Sequence, residues 1–541
     1  MSQRHLLIGL LCVAWIVPGL IGHDPWKTDE AYTFGVIYDM LRGGSWLTPT
    51  LAGELYLDEP PLYYLTAAAT ALMASPLLPL HDGARLATGM YMALTLLFCA
   101  LASRELHGKG NGAIAALLLL GCFGLVLRSH EIITDSAPLA GFALAYYALA
   151  LALRVPLRGG ALLGLAAGTV FLSQGVLETL ILMLIAAALP AVSPAWRGRS
   201  YARALLTAAV IATPLIVAWP LALYLRAPAL LEAWLQRDLY AMLSGTGREV
   251  SFYLRILPWH AWPVWALCLW TLWVQRMQSA TRREPIVMPA TPAIALPLTG
   301  FVITLVLLSI GSGARDVYAL ILLPAAALLA VPGLLTLRRG AANAWFWFGV
   351  TGTTVFIVAA WFYWTALELG VPARLHAHLH RLQPGYAPGL KLLPFTLAAC
   401  YTLAWFVLLA KLKRSAERPA VVWAAGVTVL WGLAAILFVG WVDTGKSYRA
   451  VFTSMQQNLP PTYNCVTSYH LGDSQRAMLH YYANVITHRN DVAPQTRNCD
   501  LLLLQGVAWE EPAVGANWRK IWEGSRPGDR VERYRLYQRG S

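Results

Sequence analysis

The run H-D-P-W-K-T-D-E-A-Y-T-F-G-V-I-Y-D-M-L-R-G-G-S-W-L-T-P-T-L-A-G-E-L-Y-L-D-E-P-P, from His23 to Pro61, decides how this chain is read. It holds Asp24, Asp29, Glu30, Asp39, Glu54, Asp58 and Glu59, seven of the chain's 28 acidic residues. Nearly everything around it is apolar. Ionisable groups held against a bilayer are expensive, so their concentration in one connector points to a working site. The connector is expected to form the wall of an active site on the non-cytoplasmic side, with Asp29 as the leading catalytic candidate.

The 541 residues are 57% hydrophobic and only 13% charged, against about 25% charged in a typical soluble domain. Apolar runs recur from Leu6 to Trp441, and a helix needs about 20 such residues to cross the hydrocarbon core. The 22 Trp and 23 Tyr suit interfacial belts. The net charge of +13 would also suit nucleic acid. The basic residues, however, sit in short loops between apolar runs, where they act as topology signals and attract anionic lipid. Membrane lipids are therefore expected partners and nucleic acid is not.

The pattern predicts an all-α polytopic membrane bundle of about 13 transmembrane helices. Expected spans lie at 6–22, 84–103, 110–127, 137–153, two sharing 160–193 with a break at Ser173-Gln174-Gly175, then 204–225, 258–274, 293–311, 317–336, 345–367, 391–410 and 420–441. The segment Pro60–Met73 either re-enters or lies in the interface. Basic groups fall on alternate loops: Arg4, Arg104 with Lys109, Arg154 with Arg158, Arg197 to Arg203, Arg276 with Arg282 and Arg283, Arg338 with Arg339, and Lys411 to Arg418. An N-terminus inside and a C-terminus outside follow. Residues 1–441 then form the membrane domain, including an outer loop 23–83. Residues 442–541 form a small outer α/β domain, with β-like runs at 464–469, 500–505 and 530–537 and a helix over Asp473–Tyr482. Cys465 and Cys499 fall in that tail, where a disulfide is chemically possible.

Asp29 and Glu30 open an amphipathic helix that Thr28 could cap. Acids in a first turn also favour the helix dipole, so a purely structural role competes with a catalytic one. Asp135, in R-S-H-E-I-I-T-D-S-A-P-L (Arg128 to Leu139), would face the same side, either as a second carboxylate of the site or as an N-cap. Arg315, in A-R-D-V-Y, stands near Tyr318 and suits a phosphate; a local pair with Asp316 or a lipid headgroup contact is the alternative. Gln174 and Glu178 would touch substrate or cap a broken helix. Asp58-Glu59-Pro60-Pro61 is rigid and acidic, and His376, His378 and His380 alternate. A metal at either place is an alternative, but no metal ligand is assigned and no cofactor is expected.

The arrangement D-E-A-Y-x7-M-L-x-G-x-x-W-x-x-P-x-L-x-G-x-x-Y (Asp29 to Tyr56) followed by Pro60-Pro61 is similar to the first outer loop of the protein O-mannosyltransferase-like glycosyltransferases. Within them it is nearest to the bacterial 4-amino-4-deoxy-L-arabinose lipid A transferase branch. T-D-S-A-P-L-A-G-F-A-L (Thr134 to Leu144), S-F-Y-L-R-I-L-P-W (Ser251 to Trp259) and A-R-D-V-Y-A-L-I-L-L-P (Ala314 to Pro324) resemble further motifs of that family. The resemblance implies a GT-C fold in the bacterial inner membrane with a periplasmic tail. It implies transfer, with inversion, of a sugar from a polyprenyl-phosphate donor to lipid A, another envelope glycan or a protein. By position it makes Asp29 the base or the group that positions the acceptor, with Glu30 and Asp135 in support. Arg315 and Tyr318 would hold the donor phosphate, and Tyr56, Asp58 and Glu59 would form the substrate loop. The family often has Glu-Lys-Pro where this chain has Asp58-Glu59-Pro60, Lys-Gly where it has Gln174-Gly175, and Glu-His where it has Gln236-Arg237. Arg237, Arg248 or Arg255 would then supply the missing positive charge. Two rival readings are a transporter or flippase of lipid-linked sugars, which should show paired half-bundles, and a non-catalytic binder of the carrier lipid.

Overall fold

The structure is a computed structural model and describes residues 3–243, 249–281, 291–311, 313–490 and 499–540. Arg248, Arg282 and Arg283 lie outside the described residues. Each expected span overlaps helix, although 110–127 is divided between Gly112–Leu120 and Phe123–Arg128, and 258–274 straddles Glu249–His260 and Val264–Thr281. Among the described residues, eight helices are long and apolar enough to cross a membrane, and five shorter apolar helices accompany them. The chain is a polytopic membrane protein.

Small residues let the inner helices approach closely, as helices must where lipid supplies no hydrophobic drive to associate. The Ser136–Ala152 helix, S-A-P-L-A-G-F-A-L-A-Y-Y-A-L-A-L-A, is buried along nearly its whole length. It packs between the Leu80–His107 and Pro156–Gln174 helices. On the far side, a Cβ on Gly160 or Gly164 would collide with the backbone of Ala204 or Ala208 in the Arg199–Arg226 helix. The expected break falls at Gly175, whose φ of +90° separates Pro156–Gln174 from Val176–Val192. The orphan amide of Val176 then donates to the Asp238 carboxylate at 3.2 Å, a cap supplied from another helix. A second core joins the Arg339–Leu369, Leu392–Lys411 and Arg418–Leu437 helices.

The acidic connector is itself structured. Asp29–Leu41 is a helix, and Thr50–Leu51 (β1) pairs antiparallel with Glu54–Leu55 (β2). Leu62–Ala74 is a second helix, with one face packed on Leu80–His107. The tail forms a five-stranded sheet from β3 (Val466–Tyr469), β4 (Thr487–Arg489), β5 (Leu501–Val507), β6 (Trp518–Gly524) and β7 (Glu532–Arg539), in the order β4-β3-β5-β7-β6. The three expected β-like runs are β3, β5 and β7; β4 and β6 carry too short or too charged a pattern to stand out. Cys465 and Cys499 are joined as a disulfide.

Tail and connector share one hydrophobic core. The Asp473–Ala483 helix packs on Asp29–Leu41 so closely that a Cβ on Gly35 would overlap that of Ala477. Polar ties fix the register. Ser474 Oγ donates to Thr28 O at 2.8 Å. His480 Nδ1 lies 2.8 Å from Asp39 Oδ1. Asp39 Oδ2 in turn accepts from Thr50 Oγ1 and Gly53 N, each at 3.0 Å, and so holds the β1–β2 turn. Arg476 and Arg489 both reach Glu54 at 2.9 Å. The tail thus braces the wall that carries the acids.

Candidate active site

Asp29 is the first residue of its helix and remains partly open. Thr28 makes no side-chain cap bond. Instead Asp29 Oδ1 accepts from Arg315 Nη2 at 2.8 Å, and Oδ2 lies 3.6 Å from Arg128 Nη1. Arg315 also bonds Tyr32 and stands 5.4 Å from the centre of the Tyr318 ring. A connector helix, the loop before Val317–Leu322 and the short Phe123–Arg128 helix therefore meet at one carboxylate.

Asp135 precedes Ser136–Ala152 without making a cap bond, so the capping alternative is not what the geometry uses. Its carboxyl is pushed up to about 6 by desolvation, with the charge of Asp29 opposing the nearby Arg315. Glu59 accepts from Tyr64 Oη at 3.0 Å and from Thr134. Desolvation, then the neighbouring Asp135 charge, pushes it up to about 8. Asp58 is paired with Arg237 and bonded by Tyr56. Desolvation outweighs both and leaves its carboxyl above the usual range. Gln174 Nε2 reaches Thr134 Oγ1 at 3.5 Å, and the buried Glu178 faces the same group of acids.

Asp29, Asp135, Arg315, Tyr318, Tyr56, Asp58, Glu59 and Arg237 are therefore gathered in one region. Two expected site residues are not. Glu30, expected among the catalytic acids, is buried and fully occupied. Oε1 accepts from Arg85 Nε at 2.7 Å and Ile132 N at 3.1 Å, and Oε2 from Trp26 N at 2.9 Å. Both oxygens are engaged inside the core, which puts Glu30 in a supporting position under the site. Arg255, expected on the donor phosphate, is exposed on the Glu249–His260 helix, and no ion pair among the described residues includes it.

Arg128 is the residue that sequence reading missed. It donates to Glu131 at 2.9 Å and forks onto both Asp316 oxygens at 3.1 and 3.2 Å, besides facing Asp29. The local signal was Arg128-x-x-Glu131 in the run that holds Asp135. The alternative, a local Arg315–Asp316 pair, is not formed among the described residues; Asp316 turns to Arg128 instead. Among the described residues no group of three or more His, Cys, Asp or Glu is arranged to hold a metal. His376 instead bonds Ala366 O at 2.9 Å.

Two apolar cavities of about 540 and 520 Å³ lie to one side of the carboxylates and share Trp262 and Phe348. The second is lined by Phe123, Pro258, Trp259 and Trp423. Phe123 begins the short helix that ends in Arg128, so this aromatic groove and the guanidinium share an element.

No protein-family model matches the chain. A solved structure does, over its whole length: ArnT from Cupriavidus metallidurans bound to undecaprenyl phosphate, with a TM-score of 0.70 at 15% identity, covering 99% of this chain and 98% of that one. The chain has the ArnT fold. The expectation of a GT-C bundle with a small mixed domain at its C-terminal end is thereby met. In sequence, the chain is 30% identical over 308 residues to an undecaprenyl phosphate-alpha-4-amino-4-deoxy-L-arabinose arabinosyl transferase of Pseudomonas aeruginosa, covering 50% of this chain and 54% of that one. It is 28% identical over 361 residues to the enzyme of that name numbered 2 in Pseudomonas fluorescens, covering 63% and 62%. The chain spans about half the length of the first of these relatives, and nearly all of the solved ArnT. The resemblance to the ArnT branch read from the motifs holds in both sequence and fold.

Proposed function

We propose that this chain is a membrane glycosyltransferase that moves a sugar from a polyprenyl-phosphate donor to an envelope acceptor (lipid A, another glycan or a protein) at the outer face of the bacterial inner membrane. The observation that carries the proposal is the Asp29–Arg315 contact, flanked by Arg128, Tyr318 and Asp135, beside an aromatic groove. A phosphate leaving group needs fixed cationic donors where its charge develops, and the acceptor hydroxyl needs a carboxylate within reach. Arg315, with Tyr318, Arg128 and Arg237 near it, meets the first need. Asp29, as base or as the group that orients the hydroxyl, meets the second, with Asp135 and the 56–59 loop beside it. The aromatic groove suits an isoprenoid chain, and the names of the relatives specify an undecaprenyl-phosphate donor. A binder without catalysis would not need the carboxylates.

Arg315→Ala should weaken binding of undecaprenyl phosphate at least about 10-fold, the size of a lost charge-assisted hydrogen bond. Titrating the reconstituted full chain with that lipid checks it; unchanged affinity removes Arg315 from the phosphate site. The same reading divides the chain at about residue 441. It places the N-terminus in the cytoplasm and the tail in the periplasm, supported by the alternation of basic loops. An alkaline phosphatase domain fused after Ser541 should be active in intact cells. A silent fusion, with a cytoplasmic reporter active at the same position, reverses the orientation.

A further inference from the structure

The sheet of the tail has a topological switch. β3 sits between β4 and β5 and runs parallel to both. From β3 the chain passes through the Asp473–Ala483 helix to β4, then returns to β5 on the other side of β3. From β5 it moves away from β3, to β6 and β7. The connections after β3 and β5 therefore part in opposite directions. A crevice opens where they part, at the carboxyl ends of the two strands, and open α/β sheets bind ligands there. A cavity of about 490 Å³ occupies that place, within the range of ordinary small-molecule sites. Tyr469 and His470 bound it where β3 ends, Gly506 and Glu510 where β5 ends, Trp518 at the start of β6, and Arg535 on β7. It lies on the face of the sheet turned away from the acidic connector. Leu501 and Leu503 meet the core shared with that connector, whereas the alternate residues Leu502 and Leu504 line the cavity.

The floor is a guanidinium. Arg535 is 1% exposed and stands opposite Leu504 in the ladder. A Cβ on Gly506 would lie 3.5 Å from its Nη1, so a bare glycine lets a ligand approach that group closely. Arginine carries five N–H groups. Among the described residues this one donates only to Val507 O, from Nη1 and Nη2 at 3.4 Å, and its Nε has no hydrogen-bond partner. Its charge is already matched, because Glu523 lies 3.4 Å and Glu511 4.0 Å from Nε. Buried N–H groups left unused beside a balanced charge suit a neutral oxygen, a hydroxyl or a ring oxygen, better than an anion. The walls carry rings. Those of Tyr469 and His470 are 4.1 Å apart, and Trp518 is half-buried on the other side. His470 holds a φ of +57°, a conformation with a cost for any residue but glycine, and such strain collects where a side chain must be presented. The exposed Glu510 adds an acceptor for hydroxyl donors. Flat ring faces beside neutral donors and acceptors match a sugar, with C–H groups on its faces and hydroxyls at its edge.

We propose that this cleft is a saccharide-binding site, separate from the carboxylates of the candidate active site. It takes a neutral oligosaccharide segment against the rings of Tyr469, His470 and Trp518 and over the Arg535 guanidinium. The site involves no transfer step and stands independently of the glycosyltransferase reading.

Saturation-transfer NMR on the full chain in lipid nanodiscs tests this, with maltotriose and chitotriose as probes and empty nanodiscs as the blank. The ring protons of at least one of the two sugars should receive saturation from the protein. Trp518→Ala should weaken that binding about 2- to 10-fold, the weight of one aromatic contact. His470→Gly removes the imidazole at a position whose backbone glycine adopts freely, so the fold is kept. It should weaken binding over the same range. Inorganic phosphate should not compete. Saturation of neither sugar, or binding that survives both substitutions, overturns the site. Displacement by phosphate overturns the neutral class of ligand and makes the guanidinium an anion site.

Discussion

Asp29→Asn lowers transfer about 10²–10⁴-fold while the carrier lipid still binds: that is the expected result, and it separates an enzyme from a binder. The substitution keeps the shape of the side chain and removes its charge. Arg315 at 2.8 Å and Arg128 at 3.6 Å then lose the carboxylate they share. Whether Asp29 takes the proton or orients the hydroxyl, the loss falls on the transition state, where positioned acid–base groups contribute about 10²–10⁴-fold. Binding of undecaprenyl phosphate should persist and even tighten, because two guanidiniums are freed for the phosphate. Single-turnover transfer and lipid titration on the same preparation check both halves. Unchanged turnover would reject the assignment of Asp29 and favour a chain that only binds or moves lipid-linked sugars.

The second large effect concerns stability. Arg85 is wholly buried in the first turns of the Leu80–His107 helix. Its Nε donates to Glu30 at 2.7 Å and its Nη1 to Asp82 at 2.7 Å and Leu20 O at 3.2 Å. Nη2 donates to His23 O at 3.2 Å. One guanidinium thus ties the turn that follows the first helix (Gln3–Ile16), the acidic connector and the Leu80–His107 helix. Arg85→Met leaves two buried carboxylates without a counter-ion, a loss on the order of 3–5 kcal/mol. Pairing it with Glu30→Gln should recover part of that, because one orphan charge is gone. Denaturant titration of the solubilised chain reads both; a single-variant loss below about 1 kcal/mol would show that the cluster relaxes or admits water.

The spans and the two acidic motifs were legible because their signals are local: runs of apolar residues of bilayer length, and charges where charges are rare. The break at Gly175 announced itself through Ser173-Gln174-Gly175. Glu30 misled for an equally local reason. It sits next to Asp29, yet adjacent residues on a helix point about 100° apart, and its side chain enters the core while that of Asp29 meets Arg315 and Arg128. Arg255 lies on the helix of its motif, exposed and without an ion pair among the described residues; a motif match fixes the helix and not the face. Arg128 was overlooked because its partners, Asp29 and Asp316, come from two distant connectors.

By itself the sequence determined that this chain is a helical membrane bundle, where its helices run, and which connector concentrates the acids, since each follows from hydropathy over short windows. Only the tertiary structure decided which acids keep a counter-ion. Asp24 meets Arg449, Asp39 meets His480 and Asp29 meets Arg315, pairings made by segments that are neighbours in space and hundreds of residues apart in the chain. Pairing governs how a buried carboxyl behaves, so the difference between Asp29 and the acids beside it arises in packing, where no local pattern records it.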